Sequence, residues 1–329
     1  MEAVDLRPLS LGELLDRTFR LYRNHFLLFV SIMAIPAAFL LPFNMAILSF
    51  QGSIMSSAAT SPGKPPVLPT AGMMGGLFLG AGLFFIVFIL VYALAVAAAS
   101  TAVSDVYLGR ATSMRGAFAR IRGKFWRLIG VVVNITLRAL GVMIAVFVVF
   151  GGGMGALGAL GESARNPMLM GILALGLVFG YLAGLVFCVY FWLRYAVAVP
   201  VLMIENAKVL PTIRRSVYLT QGRRGQIFLA MLVAGLVAYA GAFVFQMPFT
   251  IAMLVSAVQG HWSQWLAFAT AVSGAIGSAL TGPISMIAIV LLYYDSRIRK
   301  EAFDLQFMMN ALDAPPAAPT GTSSPATPA

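Results

Sequence analysis

MLMGILALGLVFGYLAGLVFCVYFWLRYAVAVPVLMIENAKVLPTIRRSVYLTQGRR, residues 168–224, places a long apolar run directly before a basic segment, and the contrast decides the fold. From Asn166 to Ile204 the only ionisable charge is Arg194. A ~30 Å hydrocarbon core needs about 20 apolar residues in a helix, and this run exceeds that. Five further runs of the same kind cover residues 26–50, 73–103, 128–150, 227–258 and 266–294. Hydrophobic residues make up 60% of the chain and charged residues 10%, against ~25% charged in soluble domains. The reading is an all-α, polytopic, six-span transmembrane helix bundle. Several runs are overlong, so they tilt, kink at Pro36, Pro42, Pro200, Pro248 or Pro283, or contain interfacial pieces.

Basic residues gather in alternate connections. Arg7, Arg17, Arg20 and Arg23 precede the first span, and Arg110, Arg115, Arg120, Arg122, Lys124 and Arg127 follow the second. Lys208, Arg214, Arg215, Arg223 and Arg224 follow the fourth, and Arg297, Arg299 and Lys300 follow the sixth. The other side carries only Lys64 and Arg165. Short basic loops stay on the cytoplasmic side, so both termini are expected there, in a bacterial inner membrane. The net charge of +11 then follows from topology and attraction to anionic headgroups, not from nucleic acid. Glu2, Asp5, Glu13 and Asp16 among the first arginines argue against a cleaved signal.

Compared with itself at a shift of 99 residues, the chain aligns Leu15, Phe19 and Tyr22 with Met114, Phe118 and Ile121, and with Ile213, Val217 and Thr220. Small Thr18, Ala117 and Ser216 share this stripe, with arginines around it. Three repeats are expected, each a basic amphipathic elbow helix followed by a hairpin of spans. The elbows either lie in the headgroup plane or pack back onto the bundle. The expected organisation is a helix in 1–25, a hairpin in 26–103, an elbow in 104–127, a hairpin in 128–204, an elbow in 205–226, a hairpin in 227–294, a helix in 295–312 and a Pro-rich tail in 313–329. Residues 51–72 read as an outer loop. Second spans carry small residues at i+4 steps: Gly72, Gly76, Gly80; Gly176, Gly180, Gly184; and Gly274, Ser278, Gly282. Such stripes let helix backbones approach closely in lipid.

A charge at membrane depth costs ~2.5 to 3.5 kcal/mol on insertion scales, so Arg194 and Arg138 are candidate sites. Arg194 is expected to lock helix orientation by pairing with Glu205, Asp105 or Asp295, with Glu205 also within reach of Arg214 or Arg215. Arg138, with Asn134 one turn before it, either sits at the midplane or snorkels to the inner surface. No catalytic constellation is expected: His25 and His261 fall on opposite sides, Cys188 is the single cysteine, and the glycines of 151–161 lack the strand context of a phosphate loop. No metal site or cofactor is expected.

Three stretches resemble a known family. RPLSLGELLDRTFRLYRNHF (Arg7–Phe26), RYAVAVPVLMIENAKVLPTIRRSVYLTQGRR (Arg194–Arg224) and YYDSRIRKEAFDLQF (Tyr293–Phe307) look like the opening, central and closing elements of the bacterial membrane domain named after glycerophosphoryl diester phosphodiesterase. The resemblance implies a six-span bundle with cytoplasmic elbows. The phosphodiesterase activity belongs to members with an added catalytic barrel and is not carried over. Two functions follow as expectations: a non-catalytic accessory or scaffold protein meeting lipids or a partner protein at its cytoplasmic face, or a transporter of small anionic or amphiphilic solutes through an arginine-lined cavity.

Overall fold

A computed structural model describes residues 9–60, 71–107, 109–110, 112–160, 167–259, 261 and 263–301. Arg7, Lys64, Arg165, Trp262, the 302–312 part of the closing helix and the Pro-rich tail lie outside these. The described residues form helices and no strand, in the order α1 (Leu11–Asn24), α2 (Phe26–Thr60), α3 (Ala71–Tyr107), α4 (Met114–Arg122), α5 (Phe125–Leu160), α6 (Pro167–Tyr195), α7 (Ala198–Glu205), α8 (Val209–Thr220), α9 (Arg224–Val258) and α10 (Gln264–Glu301). Among the described residues, six helical stretches are long and apolar enough to cross a membrane.

Some boundaries differ from those expected. Residues 51–60 are not loop but the end of α2, and α5 runs past the expected end of its span at residue 150 to Leu160. Ala, Met and Leu in these stretches favour helix without any periodic apolar face to announce it. The overlong 168–204 run breaks at Pro200, one of the expected kink sites: α6 stops at Tyr195 and α7 starts at Ala198. Pro200 is the cause, because its nitrogen cannot donate to the Ala196 carbonyl and its ring crowds that oxygen. Asn206, in the left-handed region at φ 53°, ends α7.

Helices α2, α5 and α9 start at Phe26, Phe125 and Arg224, two steps of 99 residues, and each follows a short helix. Ser10 and Ser113 cap two of the short helices, Ser10 in a full capping box with Glu13. The small residues Thr18, Ala117 and Ser216 are all fully buried. They let each short helix pack back along the end of a span. Leu9, just before α1, bonds Asp295 while Tyr22 on α1 bonds the Leu280 carbonyl, so α1 runs antiparallel to α10. On α8, Arg215 meets Glu205, Ser216 meets Arg194 and Arg224 just beyond meets Tyr190, so α8 runs antiparallel to α6 and α7.

The core is therefore at one end. Its buried residues include Phe29 and Ile32 of α2, Ala97 to Val103 of α3, Leu128 and Val131 of α5, Val201 and Leu202 of α7, and Ile287 to Tyr294 of α10. This accounts for the overlong runs: the last turns of α3 and α10 pack among short helices as well as spans. At the other end Leu79, Val148, Phe179 and Leu254 are exposed, as lipid-facing side chains must be.

Of the three glycine stripes, one is used for close approach. A Cβ on Gly282 of the third stripe would meet Met33, and one on Gly277, beside that stripe and not in it, would lie 2.9 Å from the Ala242 backbone. At Gly72, Gly76, Gly80 and Gly176 it would meet nothing within 4 Å, because the outer halves of α3 and α6 diverge from the bundle.

Candidate functional site

Three carboxylates at the core end are each claimed by an arginine from another element. Asp295 on α10, with 3% of its side chain exposed, accepts from Arg223 at 2.8 Å, from Arg299 at 3.0 Å and from the Leu9 amide at 2.9 Å. Asp105 at the end of α3, equally buried, holds both oxygens against Arg120 Nη1 at 2.5 and 2.6 Å. Glu205 at the end of α7 accepts from Arg215 at 3.0 Å and from the Tyr293 hydroxyl at 2.9 Å, with Arg297 at 3.7 Å. Arg215 continues to Glu301 at 2.7 Å, so α7, α8 and α10 are clasped together. Removing one member of a buried pair leaves the other uncompensated, which makes these clasps structural requirements.

Arg194 is in none of them. Among the described residues it has no carboxylate partner: Glu205, Asp105 and Asp295 are all taken by others, and the helix break after Tyr195 directs α7 and Glu205 toward α8 and α10. The expected side-chain lock is a main-chain one. Ser216 and Thr220, both fully buried on α8, donate to the Arg194 carbonyl at 3.2 and 3.4 Å. This oxygen lies in the last turn of α6, where intrahelical donors run out. Arg214, adjacent to Arg215 but turned away by one helix step, is exposed and forms no ion pair among the described residues.

Arg138 donates to the Tyr195 hydroxyl at 3.2 Å, and Arg194 lies 5.9 Å from the same ring. Arg224 stacks on Tyr190 at 4.4 Å, one turn up the same helix. Three arginines from α5, α6 and α9 thus reach the last two turns of α6, where α9 begins. Arg138 is neither alone nor ion-paired. Asn134 Oδ1 and Arg194 Nε are buried without a hydrogen-bond partner.

Two cavities flank α7. One, of about 450 Å³, opens at the core end between α3, α4, α7 and α10. Arg110, Arg120, Lys124 and Arg297 line it against one carboxylate, Asp105, with the hydroxyls of Ser104 and Tyr294, themselves bonded at 2.9 Å, in its wall. Lys124 donates to the Met203 carbonyl at 2.8 Å, and neither it nor Arg110 has a carboxylate partner among the described residues. Burial first, then the charges of Arg127 and Arg120, hold the Lys124 ammonium below its ordinary value. The other cavity, of about 400 Å³, lies between α3, α5 and α6 and is apolar; Tyr195 and Cys188 line it and no arginine does. An arginine-lined cavity therefore exists at the core end and not between the spans.

Sequence reasoning named Glu205, Asp105, Asp295 and Arg215 and missed Arg120, Arg223, Arg297, Glu301 and Lys124. A carboxylate in the last turn of a buried span needs a cation, and that need was readable; which of many nearby arginines answers it was not. His25 and His261 occupy separate ends, and among the described residues no three His, Cys, Asp or Glu side chains converge as a metal would require. No family model, curated protein or solved structure matches this chain.

Proposed function

We propose that this protein is a non-catalytic accessory or scaffold component of a bacterial inner membrane, built from three elbow-and-hairpin units, that binds anionic groups of lipids at a cytoplasmic basic end. The observation that carries the reading is the 450 Å³ cavity with four cations against one carboxylate, in which Arg110 and Lys124 are left over. Surplus cations beside hydroxyl donors suit a phosphate, which accepts several charge-assisted hydrogen bonds at once. The gathering of Arg120, Lys124, Arg215, Arg223 and Arg297 at the end bearing the short helices supports a cytoplasmic position for it and for both termini. The resemblance to the membrane domain named after glycerophosphoryl diester phosphodiesterase points the same way.

Native mass spectrometry of the full chain with phosphatidylglycerol and phosphatidylcholine tests this. The double variant Arg110→Gln, Lys124→Gln is expected to retain one phosphatidylglycerol fewer than the parent, and an unchanged number of retained lipids would refute the assignment.

A further inference from the structure

The apolar cavity between α3, α5 and α6 is a second site, apart from the basic one. On α3 its lining ends at Val96 and the basic cavity begins at Thr101, a separation of about 7.5 Å along the helix. On α7 Val199 faces one and Met203 the other. Its α5 wall extends from Val132 to Met143, roughly 16 Å of helix, so the space is elongated along the spans. Leu137, Val186 and Phe187 beside it are exposed, which places lipid next to its walls.

Tyr195 belongs to this lining and is the point where charge meets it. Arg138 donates to the Tyr195 hydroxyl and Arg194 lies beside the ring. Neither has a carboxylate partner among the described residues, and Arg194 Nε is buried with no acceptor. Asn134, one turn before Arg138, buries an oxygen with no donor. An elongated apolar space with two guanidiniums that lack carboxylate partners gathered behind its Tyr195 wall is complementary to a molecule with an acyl chain and an anionic head. We infer that the cavity takes the acyl chain of an anionic phospholipid from the surrounding leaflet, with Arg138 and Arg194 holding its phosphate at Tyr195. A guanidinium presents paired donors that match phosphate oxygens, and the low-dielectric surroundings strengthen the contact.

Cys188, the single cysteine of the chain, lines the cavity and reports its occupancy. The experiment is the rate of N-ethylmaleimide labelling of the full chain in nanodiscs of phosphatidylglycerol or of phosphatidylcholine with identical acyl chains. Labelling is expected to be about tenfold slower in phosphatidylglycerol, and Arg138→Leu to abolish the difference. Should that variant fail to assemble, Arg138→Gln gives the same readout. The double variant Arg110→Gln, Lys124→Gln keeps the slow labelling, which separates this site from the basic cavity. Equal rates in the two lipids, a lipid difference that survives loss of Arg138, or slowing by inorganic phosphate in phosphatidylcholine discs would overturn the inference.

Discussion

Ser216 on α8 donates its hydroxyl to the main-chain carbonyl of Arg194 across 3.2 Å, and Thr220 one turn later reaches the same oxygen. Residue 194 is held by its backbone and not by its charge. Replacing both hydroxyls, Ser216→Ala with Thr220→Val, leaves a buried carbonyl without these donors and is expected to lower stability by about 1 to 3 kcal/mol. Arg194→Gln is expected to leave the melting temperature in detergent within error. A loss in the arginine variant as large as in the double variant would contradict this.

Asp295 gathers Arg223, Arg299 and the Leu9 amide around one buried carboxylate. Asp295→Ala leaves two guanidiniums and an amide without their acceptor, a loss on the order of 3 kcal/mol. Denaturant unfolding of the purified chain in detergent measures it, and Asp16→Ala, removing an exposed pair with Arg20 on α1, serves as the comparison with little effect.

Lys124 gives the basic cavity a pH response. Its ammonium is held below the ordinary 10.5 by burial and by neighbouring cations, so it loses its proton earlier than an exposed lysine as pH rises. Phosphatidylglycerol binding is expected to weaken through the range below 10.5, because the charge that attracts the phosphate disappears. Stability of the lipid-free chain changes with the opposite sign: the folded state favours the neutral amine, so it gains relative to the unfolded state over the same range. Titrating both quantities in the parent and in Lys124→Gln tests the assignment, since the variant should flatten both curves there.

Backbone-to-backbone approach is tight at the α9–α10 contact. Gly277→Ala would press a methyl against the Ala242 backbone at 2.9 Å and is expected to destabilise by about 1 to 3 kcal/mol. Gly80→Ala meets nothing and, at an exposed helical position, is expected to be neutral or slightly stabilising. Parallel thermal melts of the two variants distinguish the sites.

The spans were readable because 20 apolar residues in succession have few other fates, and the short helices because Thr18, Ala117 and Ser216 mark the side on which each packs. The ion pairs were not. Arg214 and Arg215 are equivalent as letters, and only the rotation of α8 against α7 and α10 selects Arg215. A charge within an apolar run needs compensation, which points Arg194 to a carboxylate, but the sequence does not say where a kink at Pro200 sends Glu205. The break before Pro200 ends α6 at Tyr195, beside Ser216 and Thr220, so the run is partly protein interior and its polar groups answer to α8.

The contact between the Leu9 amide and Asp295 joins positions 286 residues apart in sequence. A ribosome adding about 5 to 20 residues per second completes the stretch between them in roughly 15 to 60 seconds. Through that interval α1 has emerged without the helix it packs along, and its buried side, including Leu14 and Thr18, is left open to whatever holds nascent chains. Assembly of this protein is thus a circle closed by α10, and a ribosome halted short of that helix would leave α1 without its seat.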